Sequence, residues 1–194
     1  DDEEQLNFLH SINQSGRDLL FVINDILDMS RIEAGDLKLS EGAVDLEVCI
    51  EGAIAMITEQ AVSKGLILVE SLPDDIPDLI GDQAKIKQML LNLLTNAIKF
   101  TPAGGEIEIG VAHAKGSGLN LFVRDSGVGM TAEELDRARL SFAQLNDSPS
   151  CMHGGLGLAI TTAIAELQGG KLALDSMPDE GTTASLHFPA ERIQ

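Results

Sequence analysis

Between residues 5 and 34, apolar or small side chains recur at Leu9, Ile12, Gly16, Leu19, Ile23, Ile26 and Ser30, with Leu6, Leu20 and Leu27 on the adjoining row. Alternating steps of three and four place them on one side of an α-helix, so this spacing predicts a single long amphipathic helix. The stripe is wider than a two-stranded seam needs, which suits a multi-helix bundle, and Gly35 is the expected C-terminal stop. Alone in water such a helix would expose its stripe, so it calls for a partner.

From about residue 36 the period changes. A strand is expected at 37–39, a helix near 46–64 carrying Val48, Ile50, Ala53, Ile54, Ile57 and Ala61, and a strand at 66–70. After the loop from Pro73 to Pro77 a helix is expected over about 82–100, with Asp82 as its N-cap. Strands follow at 106–112 and 119–124. The stretch 126–154, rich in Gly, Ser and Asp, reads as a lid or a disordered segment. A helix at 156–168 and a strand pair at 171–176 and 182–188 complete an α+β pattern. The expected division is 1–35 for the bundle helix and 36–194 for the second domain.

The charge balance removes several functions. Thirteen Lys and Arg against thirty-one Asp and Glu leave a net charge of −18, which repels a nucleic-acid backbone and anionic lipid alike. No apolar run approaches the roughly 20 residues of a membrane span, and Asp1-Asp2-Glu3-Glu4 is wrong for a signal peptide. The expectation is a cytoplasmic piece without direct membrane contact, any membrane anchor belonging to the parent protein. Cys49 and Cys151 lack the spacing of a disulfide framework or zinc site and read as reduced apolar side chains.

Three elements carry chemistry. On the helix 82–100, at about 100° per residue, Ile86, Leu90, Leu93 and Ala97 share a face, while Asn92, Asn96 and Lys99 lie about 120° away. That second face reads either as a solvated edge or as a polar wall aimed at a metal and a phosphate, since an amide oxygen ligates Mg²⁺ and an ammonium meets phosphate. At the end of the strand 119–124, Asp125-Ser126-Gly127-Val128-Gly129 sets a carboxylate before two glycines. This is a plain turn, or a place where backbone passes close to a flat ligand whose exocyclic amine donates to the Asp. Gly154-Gly155-Leu156-Gly157-Leu158 then opens a helix whose free N–H groups suit an anion. No GKS or GKT follows, so it is not a P-loop.

Taken in order, these elements resemble the GHKL family of ATP-binding domains, and among them the sensor histidine kinases. Asn92-Leu93-Leu94-Thr95-Asn96-Ala97-Ile98-Lys99-Phe100-Thr101 looks like the N box, Asp125 to Gly129 like the G1 box, and Gly155 to Leu158 like the G2 box. Gly181-Thr182-Thr183 before the last strand is a fourth match. Leu19 to Gly35 looks like the second helix of the dimerisation and phosphotransfer bundle.

The resemblance implies a two-layer α/β sandwich, the GHKL or Bergerat ATP-binding fold, preceded by a bundle helix. It implies ATP and Mg²⁺ as cofactors, a second copy of the chain through the bundle helices, and a response-regulator receiver domain as partner. Asn96 would ligate Mg²⁺, Lys99 would contact phosphate, Asp125 would accept from the adenine amine, and Thr182 would support Asp125 through water. Gly127 and Gly129 would let the backbone approach the base, with Phe100 beside it or in the core. Gly155, Leu156, Gly157 and Leu158 would border the phosphates, the glycines presenting N–H groups. Asn92 would stand by the phosphates where ATP-hydrolysing relatives carry a glutamate base. An amide cannot take a proton from water, so ATP would wait for an imidazole nucleophile, and Asn92→Asp or Glu is expected to raise hydrolysis by water.

The resemblance also has gaps. His10, followed by Ser11-Ile12-Asn13, lacks the acid and the Arg-Thr-Pro that follow the family's phosphoacceptor, so the acceptor is expected on a preceding helix. His113 and His187 read as ordinary strand residues. The F box survives only as Phe142 and Gln144 in Arg139-Leu140-Ser141-Phe142-Ala143-Gln144, and Met152-His153-Gly154 replaces the usual glycine-threonine approach to Gly155. The alternative is a degenerate kinase that serves as a docking module for a response regulator.

Overall fold

The computed structural model describes residues 26–114, 118–143 and 156–194, together with Gly16, Leu19, Ile23 and Asn24; the side chains of 114, 139–143 and 156 are outside that description. His10, Cys151, Gly155, the Met152-His153-Gly154 run and the F-box side chains therefore lie outside the described residues. The chain divides into two compact units, residues 1–38 and 39–194.

In the first unit, residues 26–33 form helix α1. Gly35 stops it at φ +69°, a left-handed conformation open to glycine, with the Gly35 N–H donating to the Ile32 carbonyl and the Asp36 N–H to that of Arg31. Leu37 also donates back to Arg31, so no strand forms at 37–39, contrary to the sequence expectation. Leu19, Ile23, Ile26 and Leu27 stand exposed, as an amphipathic helix without its partner would leave them.

The second unit is built from β1 (Gly42–Val44), α2 (Leu46–Ser63), β2 (Ile67–Ser71), β3 (Leu79–Gly81), α3 (Gln83–Phe100), β4 (Glu106–Ala114), β5 (Gly118–Asp125), α4 (Ala132–Ala143), α5 (Leu156–Leu167), β6 (Lys171–Met177) and β7 (Gly181–Phe188). Five strands form one mixed sheet in the order β2-β4-β5-β7-β6, with β2 parallel to β4 and the other pairs antiparallel. A two-stranded ribbon pairs β1 with β3 antiparallel. The strand expected at 37–39 is thus displaced to 42–44, where Leu79-Ile80-Gly81 supplies the partner. That three-residue run directly behind a proline loop is too short to signal a strand by itself.

One face of the sheet is dry. Along β5, Leu119, Leu121, Val123 and Asp125 are buried while Asn120, Phe122 and Arg124 alternate outward, the period of two of a half-buried strand. Against that face pack α3 and α5, contributing Ile86, Met89, Leu90, Ile160 and Ile164 to a core closed by Leu121 and Leu186. The result is a two-layer sandwich with α3 at its centre, touching α2, α5, β4 and β5.

Both ends of α3 are pinned. At its start Asp82 accepts from the Lys85 N–H at 3.1 Å and from the Ser40 N–H at 2.8 Å, and its own N–H donates to the Gln168 side chain at 2.7 Å. At its end the Lys64 ammonium donates to the carbonyls of Ile98 at 2.5 Å and Lys99 at 3.0 Å, meeting the negative end of the helix dipole. Lys64→Met is expected to leave those carbonyls without that donor and to cost about 1 kcal/mol of stability. A thermal melt checks this, and an unchanged midpoint would show the cap to be idle.

The stretch 126–154 is not uniformly irregular: α4 occupies much of it. Thr131 and Glu134 start the helix reciprocally, the Thr131 N–H donating to the Glu134 carboxylate at 2.9 Å and the Glu134 N–H to the Thr131 hydroxyl at 3.3 Å. This capping box was available in Thr131-Ala132-Glu133-Glu134 and outweighs the small polar residues around it. The hydrogen bonds from Thr131 hold the Glu134 carboxyl below its ordinary range.

Candidate nucleotide site

A cavity of about 320 Å³ opens where α3, the end of β5 and the β6-β7 pair meet. Leu93, Ala97, Val123, Leu174 and Ala184 make most of its wall apolar. Its polar groups are few and spaced: Asn96 from α3, Asp125 from β5, Thr182 from β7 and Glu134 from α4. An apolar slot with a few fixed polar groups suits a flat heteroaromatic ligand.

Asp125 is only 8% exposed. The Gly127 N–H donates to its Oδ1 at 2.8 Å, and the Thr182 N–H also faces the carboxylate. Burial dominates these bonds and pushes the Asp125 carboxyl above its ordinary range. Thr182 therefore supports Asp125 through its backbone, beside it in the β5-β7 register, while its hydroxyl turns to Ser176 at 2.9 Å.

The loop after Asp125 is strapped along its length. The Val128 N–H donates to the Phe100 carbonyl, Asp179 donates to the Val128 carbonyl, and the Met130 N–H donates to the Ser176 hydroxyl. Gly129 has φ +62°, and a Cβ there would run into the Met177 carbonyl. Only glycine lets this loop lie against the β6-β7 turn.

Six of the residues singled out in the sequence line the cavity: Asn96, Phe100, Asp125, Gly129, Leu158 and Thr182. Gly127 is buried just behind Asp125. Asn92 and Lys99 stand elsewhere. Asn92 is 2% exposed, covered by α5, with its Nδ2 donating to the Gly157 carbonyl at 3.1 Å and to the Thr161 hydroxyl at 3.4 Å. The solvated-edge reading of that face therefore fails for Asn92, because helical periodicity cannot see a second helix laid over it. Gly157 packs on this amide, at 3.5 Å from a Cβ position to Asn92 Cγ. Lys99 lies exposed at the last turn of α3, its ammonium 5.1 Å from the centre of the half-exposed Phe100 ring.

Several cavity residues carried no signal in the sequence. Leu93 was assigned to the core face, which here also forms the cavity wall, and Met130, Leu174 and Ala184 look like any strand or loop residue. Glu134 could have been found from its capping box. Among the described residues no cluster of three or more His, Cys, Asp or Glu side chains is placed to hold a metal ion. The donor set fits a divalent cation only in the form in which phosphate oxygens are its main ligands and one protein amide assists.

Residues 81–192 match the family described as Histidine kinase-, DNA gyrase B-, and HSP90-like ATPase. The cell-division control histidine kinases PdhS of Brucella anthropi and Brucella abortus are 36% identical to this chain over 96% of its length. The chain spans about a fifth of those curated relatives, 19% of each. Full-length ShkA, whose crystal structure was solved in complex with AMPPNP, superposes with a TM-score of 0.77 at 27% identity over 96% of this chain and 39% of that one. The histidine kinase AdeS of Acinetobacter baumannii shares the fold at a TM-score of 0.72 and 19% identity, covering 93% of this chain and 83% of that one. The chain belongs to the histidine kinase-, DNA gyrase B- and HSP90-like ATPases, and the PdhS relatives that it resembles are histidine kinases.

Proposed function

We propose that this chain is the ATP-binding catalytic region of a two-component sensor histidine kinase, which directs the γ-phosphate of ATP to a histidine on another bundle helix for relay to a response-regulator aspartate. The observation that carries the reading is the buried Asp125 carboxylate, held by two backbone N–H groups at the end of an otherwise apolar cavity. A carboxylate so placed accepts from an exocyclic amine and leaves the flat ring to the apolar wall. The ShkA complex with AMPPNP supports the same occupant.

MgATP, when bound, supplies the transferable phosphoryl group and the charge of the metal. The residues of this chain do the rest by positioning. Asp125 fixes the base, Gly127 and Gly129 keep the loop close to it, and Phe100 borders it. Asn96, on the cavity side of α3, would offer its amide oxygen to Mg²⁺, and Lys99, exposed at the last turn of the same helix, would meet phosphate. Leu156, Gly157 and Leu158, at the start of α5, would present N–H groups to the phosphates. Asn92 enters this reading through its hold on α5, as the residue that keeps that helix start in place.

In this reading residues 1–35 are the second helix of a dimerisation and phosphotransfer hairpin, and 36–194 the catalytic domain. The exposed Leu19, Ile23, Ile26 and Leu27 then pack in a homodimeric bundle, and a receiver domain takes the phosphoryl group. Titration of MgATP against the chain, with Asp125→Asn as control, tests the proposal. Saturable binding lost in the control supports it, and no binding to either protein sinks it in favour of the docking module.

A further inference from the structure

Ser176, near the end of β6, has three neighbours around one hydroxyl oxygen: the Met130 N–H, the Gly181 carbonyl and the Thr182 hydroxyl, each at 2.9 Å. An amide N–H can only donate and a carbonyl can only accept. Only one allocation turns all three contacts into hydrogen bonds: the Ser176 proton goes to Gly181, and its lone pairs take Met130 and Thr182. In that allocation Thr182 is the donor of its pair with Ser176, a direction that the distance alone leaves open.

The consequence lies in the cavity, which Thr182 lines and Ser176 does not. With its only proton committed to Ser176, the Thr182 hydroxyl can present nothing but lone pairs to a ligand. The neighbouring Asp125 carboxylate, receiving the Gly127 and Thr182 N–H groups, is an acceptor as well. Two acceptors turned to the same substituent welcome the two N–H bonds of an amine and repel a carbonyl oxygen.

We propose that Ser176 is a positioning residue for base selection: by holding the Thr182 hydroxyl as an acceptor, it makes this end of the cavity favour a 6-amino purine over a 6-oxo purine. The proposal rests on the reading of the cavity as a purine nucleotide site. Ser176→Ala would free the Thr182 proton to swing toward the ligand, turning one acceptor into a donor.

Equilibrium binding of MgATP and MgITP, whose bases differ in the 6-substituent and in the proton that the 6-oxo base carries on N1, tests this. The unsubstituted chain is expected to prefer MgATP by about tenfold or more, and Ser176→Ala to shrink that ratio by about tenfold, chiefly by improving MgITP. Ser176→Thr, which keeps the hydroxyl, should restore the preference. A purely structural role would weaken both nucleotides alike, and that result overturns the proposal, as does an unchanged ratio. Should Ser176→Ala fail to fold, Thr182→Val removes the acceptor itself and must shrink the same ratio; a full preference retained there overturns the proposal too. Failure of the unsubstituted chain to bind either nucleotide removes the purine site and this inference together, whereas the other negative outcomes leave the site standing.

Discussion

Asp125→Asn is expected to weaken MgATP binding by about 100-fold, the effect of losing a charge-assisted acceptor in a site where water cannot replace it. The amide keeps an oxygen for the Gly127 N–H, now 2.8 Å from Oδ1, but its NH₂ then points toward the ligand's amine or toward the Thr182 N–H. Either way one donor meets another. Calorimetric titration reads the loss, and an affinity within a few-fold of the unsubstituted chain would show that Asp125 does not touch the ligand.

The same substitution has a signature in stability that needs no ligand. Burial raises the folded-state pKa of Asp125, so its protonated form is favoured in the fold and its ionised form costs stability there. That cost is absent below the ordinary carboxylate range, grows as pH rises from there to the folded pKa, and is constant above it. The melting temperature of Asp125→Asn relative to the unsubstituted chain must therefore move in the mutant's favour as pH rises from about 4, and then level off. The lost N–H···O bond adds a constant offset without changing that slope. A difference that stays flat with pH would mean that the carboxyl is not desolvated.

Asn92→Asp is the second large effect, expected to cost about 2–4 kcal/mol of stability. The present amide gives both its protons to α5, one to the Gly157 carbonyl and one to the Thr161 hydroxyl, which itself donates to Gly157 at 2.8 Å. A carboxylate in its place would face a carbonyl oxygen from a position 2% exposed. Its cheapest response is to take up a proton, and a protonated acid is no general base. The expected result for Asn92→Asp is thus a lowered unfolding midpoint with no gain in ATP hydrolysis per folded molecule, in place of the gain that the family pattern alone suggests. A stable variant with faster hydrolysis would show that position 92 faces a water.

Residue 92 marks the boundary between what could be read along the chain and what could not. Whatever depends on neighbours within a few residues was legible. Asp82 announced the start of α3, Gly35 the end of α1, and the alternation of 119–124 its strand, because caps, left-handed turns and pleat are local physics. The order of motifs pointed to the family, and it brought Asn96, Phe100, Asp125, Gly129, Leu158 and Thr182 to one cavity without any side-chain geometry.

Contacts between segments far apart in sequence are a different matter. β3 exists because β1 pairs with it, although three residues carry too little pattern to show it. Asn92 turned inward because α5, which begins more than sixty residues later, covers it, and Ser176 became the hinge of the site because a strand end, a turn and a loop converge on its one hydroxyl. The amino-acid sequence by itself determined α1, α2, α3, α5 and the alternating strands, since each follows from short-range periodicity and residue type, and the order of its motifs pointed to the kind of ligand chemistry. Only the tertiary structure decided which polar groups face the cavity, which are spent holding helices together, and which partners each hydroxyl meets, because those choices are made by long-range packing and by the donors and acceptors that packing happens to bring within reach.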